Sequence, residues 1–213
     1  MKKETIWRAF FYGLGIVLLC LGVTLNTKTG LGVSPVTAVP FAISNGFGWR
    51  FSTVLFWYYI ACVLLQCTLR GPEWKDLLQV PLSLAFSVVQ GWLGSLLQME
   101  ITHLWQSVAL LPFAVVFTGF GISLMVNMRL VPNPADGVPF TLAQVTKKEM
   151  GLVKNVVDAA LVVLALSVDL LLSGHITSLG AGTIVAMIFN GRAVALCDRL
   201  FRRKITSLAG VNE

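Results

Sequence analysis

Charged side chains are scarce in this sequence: sixteen Lys and Arg and ten Asp and Glu among 213 residues, 12% in all, where an ordinary soluble domain carries about 25%. So few charges cannot cover a soluble fold in which 56% of residues are hydrophobic, and most soluble classes are excluded. Histidine is rarer still, with two copies. His103 and His175 fall in connectors without a Ser or Cys nucleophile pattern or paired carboxylates around them, so no enzyme is expected. The absence of a GxxxxGK[ST] stretch removes an intrinsic ATPase. Cysteine supplies four residues, Cys20, Cys62, Cys67 and Cys197, all inside apolar stretches. Cys62 and Cys67 lie on different faces of a helix with no His at ligand spacing, so reduced packed thiols are expected, with no metal and no other cofactor.

What the sequence has in abundance is long apolar runs. A hydrocarbon core about 30 Å thick needs roughly 20 apolar residues per helical span. Six runs fit, at about 7–26, 51–69, 77–98, 106–127, 151–172 and 179–200. The connectors are broken by Gly, Pro and charge, as at Arg70-Gly71-Pro72-Glu73, and Trp7, Trp49, Trp74 and Trp105 stand near span ends, at headgroup level. The first run lacks a small-residue cleavage site and is expected to stay as a span. With the N-terminus cytoplasmic, inner segments collect Lys2, Lys3, Arg8, Arg70, Lys75, Arg129, Lys147, Lys148, Arg199, Arg202, Arg203 and Lys204, which is twelve of sixteen, and outer segments hold only Lys28 and Arg50. Both termini are therefore expected in the cytoplasm of a multi-pass protein of the bacterial cytoplasmic (inner) membrane. The basic run Arg202-Arg203-Lys204 is read as an anchor at anionic lipid, and no nucleic-acid partner is expected.

The chain also repeats itself. A shift of 99 lays Ser34-Pro35-Val36-Thr37-Ala38-Val39-Pro40-Phe41 on Asn133-Pro134-Ala135-Asp136-Gly137-Val138-Pro139-Phe140 without a gap, and Gly22-Val23-Thr24-Leu25 on Gly121-Ile122-Ser123-Leu124. A shift of 100 matches Ser83 with Thr183 and Gln90 with Asn190. Each half reads as span, short Pro-containing segment, span, span. An odd number of spans per half places successive halves in opposite orientations. The expected fold is an all-α polytopic membrane protein of six transmembrane helices in two inverted three-span repeats, 1–100 and 101–213, each with a short Pro-containing helix after its first span, at about 33–48 and 132–148.

Polar residues at membrane depth are the candidates for function, since charge there is costly. Ser34 and Asn133 precede a proline and suit an N-cap. The helix ends they open, with Thr37 in one half and Asp136 and Gly137 in the other, can hold an anion or a polar group if they dip into the membrane, or can be amphipathic connectors at the interface. Lys154 and Asp158, four apart, can neutralise each other on one helix face, with Asn155 adjacent. They serve a structural pair and a substrate site equally well. Gln90 and Asn190 complete the candidate set, with hydrogen bonding between helices as their simpler role.

Several of these stretches resemble one family. Gly30-Leu31-Gly32-Val33-Ser34-Pro35, Pro134-Ala135-Asp136-Gly137, Val153-Lys154 with Val157-Asp158, and Leu179-Gly180-Ala181-Gly182-Thr183 are similar to the bacterial YczE/YyaS/YitT-like integral membrane proteins, with the YczE branch nearest. Members tend to carry Arg and Glu where this sequence has Lys154 and Asp158, and Trp-Asp where it has Val36-Thr37. The resemblance implies a bacterial cytoplasmic-membrane protein. The expected function is a small-solute transporter or exporter that binds a polar or anionic small molecule or ion between the repeats. The alternative is a non-transporting binding or accessory subunit, such as an energy-coupling substrate-capture component, or a membrane scaffold. Expected partners are the lipid bilayer, the small-molecule or ion substrate, and a second copy of the chain in a homo-oligomer.

Overall fold

The structure, a computed structural model, describes residues 2–99 and 101–211. Its helices are α1 (Lys2–Thr29), α2 (Pro35–Phe47), α3 (Phe51–Arg70), α4 (Trp74–Leu96), α5 (Leu104–Asn127), α6 (Pro134–Thr146), α7 (Met150–Leu172) and α8 (Ala181–Leu208). Each half of the chain lays its helices down in one order: long, short, long, long. The likeness is strongest in the short pair. α2 and α6 have 13 residues each, open on Pro35 and Pro134, carry Pro40 and Pro139 inside, and end on left-handed residues, Gly48 at φ 67° and Lys147 at φ 54°. The opening proline gives up an N–H that no helix uses, and the internal one leaves a carbonyl of the first turn without its helical donor. Gly48 takes its conformation freely, whereas Lys147 does so against a steric cost of about 1–2 kcal/mol.

Five helices, α1, α3, α4, α5 and α7, are long and apolar enough to cross a membrane among the described residues. α8 is as long as α1, at 28 residues. Six charges along it, Arg192, Asp198, Arg199, Arg202, Arg203 and Lys204, dilute its apolar character, and it does not join the five. The sixth apolar run of the sequence is thus a helix, but one that continues to Leu208 as a charged extension. The exterior carries the apolar surface that the low charge count requires, including Trp57, Leu64, Val163 and Leu171, all exposed.

α1 and α5 form the central pair. They run antiparallel, since Gly15 meets Met125 and Leu124 while Gly22 meets Thr118 and Ala114. Any Cβ on Gly22 would strike the Thr118 backbone, and one on Gly121 would strike that of Leu19. Small residues here let two apolar helices approach backbone to backbone, which is how helices gain contact where no hydrophobic drive separates them from lipid. At one end Arg8 Nη2 donates to the Met128 carbonyl at 2.7 Å, and Tyr12 Oη to that of Val131 at 2.7 Å.

Around this pair α4 packs on α1, and α8 on α5. The short helices each cross to the other half: α2 packs on α7 and α6 on α3. α2 runs alongside α7, with Gly46 against Leu172 and Ala38 and Val39 in one cluster with Leu161 and Ala165. α6 does the same on α3, with Ala135 clustered with Tyr59 and Cys62, and Thr141 bonded to Arg70 at the end of α3. The first turn of each short helix therefore lies against the body of a long helix, not at its tip.

Gly121→Val is expected to lower stability by about 1–3 kcal/mol, the usual cost of overpacking a tight contact. Detergent-micelle unfolding of the purified protein measures it, and an unchanged midpoint would refute the close α1–α5 crossing.

Candidate functional site

The charged group expected from the sequence assembles where the first turn of α6 meets α7. Asp136 stands in that turn, where the helix dipole favours an acid. Lys154 Nζ lies 3.7 Å from Asp136 Oδ1 and 3.6 Å from Asp158 Oδ1. One cation thus bridges two carboxylates, one turn of α7 separating Lys154 from Asp158. Asp136 and Lys154 are half-buried, while the Asp158 side chain is only 14% exposed. Its Oδ1 accepts no hydrogen bond among the described residues. At 3.6 Å the ammonium attracts it without bonding to it, so this buried oxygen is left short of a hydrogen-bond donor.

Behind the group runs a buried polar chain. Gln66 Nε2 donates to the Pro134 carbonyl at 3.0 Å, Gln66 and Gln79 exchange amide bonds at 3.2 Å each way, Gln79 Nε2 donates to Asp76 Oδ1 at 3.2 Å, and Arg70 Nη2 meets that same oxygen at 2.6 Å. Arg70 also pairs with Glu73. Gly137 makes the chain possible, because a Cβ there would occupy the space of the Gln66 amide. Asn133 caps α6 by accepting from Ala135 N at 3.3 Å, and its side chain reaches toward Tyr59. Tyr59 holds the position in α3 that Asp158 holds in α7 under the shift of 99, so the first half offers a phenol where the second offers an acid.

The remaining candidates sit elsewhere. Ser34 stands at the N-cap position of α2 but makes no side-chain cap, its Oγ lying instead 3.0 Å from Thr37 Oγ1. Asn155 is exposed. Asn190 is half-buried on α8 with Oδ1 unpartnered. Gln90 is buried at the floor of a cavity of about 650 Å³ at the C-terminal ends of α1 and α4, and its Nε2 donates to Thr24 Oγ1 at 2.8 Å. At the C-terminal ends of α5 and α8 the space is smaller, about 170 Å³. There Asp198 Oδ1 accepts from Ser123 Oγ at 2.5 Å and from Asn127 Nδ2 at 2.7 Å, clasping the two helices.

Sequence reasoning passed over the Gln66–Gln79–Asp76 chain and over Asp169. The signal was present, because an amide inside an apolar run must find a partner when buried. Asp169 is fully buried and accepts four bonds, from the backbone N and hydroxyl of both Thr177 and Ser178 at 2.6–3.0 Å, pinning the turn that leads into α8. Its counterpart under the shift of 99 is Arg70, which pins the turn into α4 with the opposite charge.

A family model described as "Family of unknown function (DUF6198)" matches residues 6–199, nearly the whole helical body just described. This chain belongs to DUF6198. The match spans α6, α7 and the three bridged charges. Two Bacillus subtilis (strain 168) proteins are similar along most of their length. "Uncharacterized protein YyaS" is 26% identical over 188 residues, 85% of this chain and 87% of YyaS. "Uncharacterized membrane protein YczE" is 25% identical over 194 residues, 90% of this chain and 85% of YczE. The family resemblance read from the glycine-rich motifs is thereby shown. No solved structure matches. With its apolar helices, this DUF6198 chain is a multi-pass integral membrane protein in contact with the lipid bilayer.

Replacing Gln66 by Leu leaves Gln79 and the Pro134 carbonyl without their partner in a buried setting, at an expected cost of about 1–3 kcal/mol. Lys154→Gln is expected to destabilise more than the double variant Lys154→Gln/Asp158→Asn, because only the single change strands a buried carboxylate beside a second one. Unfolding midpoints in micelles compare them, and equal losses would show that the ion pair is idle.

Proposed function

We propose that the protein is a small-solute transporter of the bacterial cytoplasmic membrane, built as an inverted repeat of two three-span halves, with a polar or anionic solute bound at Asp136, Lys154 and Asp158. The observation that carries this reading is the exchange of short helices, α2 onto α7 and α6 onto α3. Two similar short helices, each packed on the other half around an antiparallel α1–α5 pair, support the plan of inverted-repeat transporters, whose sites lie near the midplane between repeats. α8 then serves as the sixth span despite its charges, with Arg199, Arg202, Arg203 and Lys204 at the inner face and both termini cytoplasmic.

The two ends of the α1–α5 pair differ in a way that suits alternating access. The wide cavity at the ends of α1 and α4 and the space beside the Asp198 clasp at the ends of α5 and α8 differ in size, about 650 against about 170 Å³. Exchange of these conditions would pass a solute from one face to the other. The solute meets a site with one cation and two acids, where Asp158 can accept a proton as Lys154 engages an anionic group. The protein acts in this reading without covalent chemistry of its own and is no enzyme.

Purified protein reconstituted alone in liposomes and screened with labelled polar solutes is expected to show uptake that Asp158→Asn abolishes. Binding without flux would sink the transporter reading in favour of an accessory or capture subunit. Orientation is tested separately, in a background lacking the four cysteines, with single Cys at Gly48 or Lys147 and a membrane-impermeant thiol reagent. Labelling of Gly48→Cys alone in intact cells is expected, and equal labelling of both would refute the inverted repeat.

A further inference from the structure

The cavity of about 650 Å³ lies apart from the bridged charges of α6 and α7 and has a lining of a different kind. Lys28 and Arg50 are its charged residues, no carboxylate lines it, and neither cation has an acidic partner among the described residues. With them stand hydroxyls and amides from four helices, including Thr27, Ser44, Asn45, Ser52 and Ser95, with Phe41 and Trp92 along the wall. The volume falls within the roughly 300–1,000 Å³ of small-molecule sites.

A second observation is independent of these charges. Gln90, at the floor, is 3% exposed, and its Oε1 has no hydrogen-bond partner. Its amide is held in one orientation: Nε2 donates to Thr24 Oγ1 at 2.8 Å, and that hydroxyl spends its own proton on the Cys20 carbonyl at 2.8 Å. The remaining need at the floor is therefore for a donor, since a buried amide oxygen is stable only when paired. Two cations above and an unmet acceptor below specify complementary chemistry in one ligand.

We propose that this cavity binds an anion that carries an O–H or N–H donor beside its carboxylate or phosphate, with Lys28 and Arg50 on the charge and Gln90 Oε1 on the donor. A soluble hydroxy- or amino-carboxylate has this chemistry, and so does the head group of phosphatidylethanolamine. The residues it uses are distinct from the proposed transport site, because the cavity shares none with the Asp136, Lys154 and Asp158 group.

Full-length protein in detergent is titrated with L-malate and with succinate, which lacks the hydroxyl, and the melting temperature is followed. Malate is expected to raise it by several degrees more than succinate. Lys28→Gln/Arg50→Gln is expected to remove both shifts, and Gln90→Met to reduce malate to the succinate level while leaving succinate unchanged. In parallel, protein from nanodiscs of phosphatidylethanolamine and from nanodiscs of phosphatidylcholine is examined by native mass spectrometry. Retention of phosphatidylethanolamine alone, lost in the double variant, would assign the site to the lipid. A malate shift lost in the double variant would assign it to a soluble anion. Absence of both, or binding indifferent to the substitutions in variants that melt like the parent, overturns the proposal.

Discussion

The α1–α5 crossing is the contact on which the rest of the molecule is hung. It brings two apolar helices together in a solvent that offers no hydrophobic reward for doing so, and it does this by removing side chains at Gly22 and Gly121. Once these helices touch, α4 and α8 find equivalent places on either side. The gaps left between them and the outer helices are then filled by α2 and α6, each too short to cross alone.

Charge inside the bundle follows from the same economy. Lipid tolerates few ionic groups, and those retained are matched locally: Asp76 with Arg70, Asp136 and Asp158 with Lys154, Asp198 with Ser123 and Asn127. Where the two halves differ in sequence, they differ in sign or kind at equivalent positions. Arg70 answers to Asp169, and Tyr59 to Asp158. Both of these pairs lie on α3 and α7, the helices against which α6 and α2 pack.

Much of this was legible in the residues. The start of both short helices follows from Ser34-Pro35 and Asn133-Pro134, because proline acts on local backbone regardless of context, while their ends at Phe47 and Thr146 fall just inside the expected segments 33–48 and 132–148. Lys154 with Asp158 was legible as an i, i+4 pair. Three things were not. The partner of each short helix depends on packing between distant segments, which periodicity does not encode. The Gln66–Gln79 exchange needs two helices in register, whereas each amide alone reads as one polar interruption. The coming together of Lys28 and Arg50 required the ends of α1 and α3 to be placed in space, and in sequence they look like two stray outer charges.

The crossing of short helices has a consequence for how the protein is made. α2 leaves the ribosome long before α7, the helix whose flank it covers, and α6 emerges before α7 has closed the other side. Each short helix has part of its packing in its own half, α2 on α3 and α6 on α7, and the larger part in the other, so the early half carries Pro35–Phe47 only partly packed until the late half arrives. The cover that α7 gives α2 is then added late in synthesis, and a chain cut between the halves would have to rejoin by exchanging these two helices.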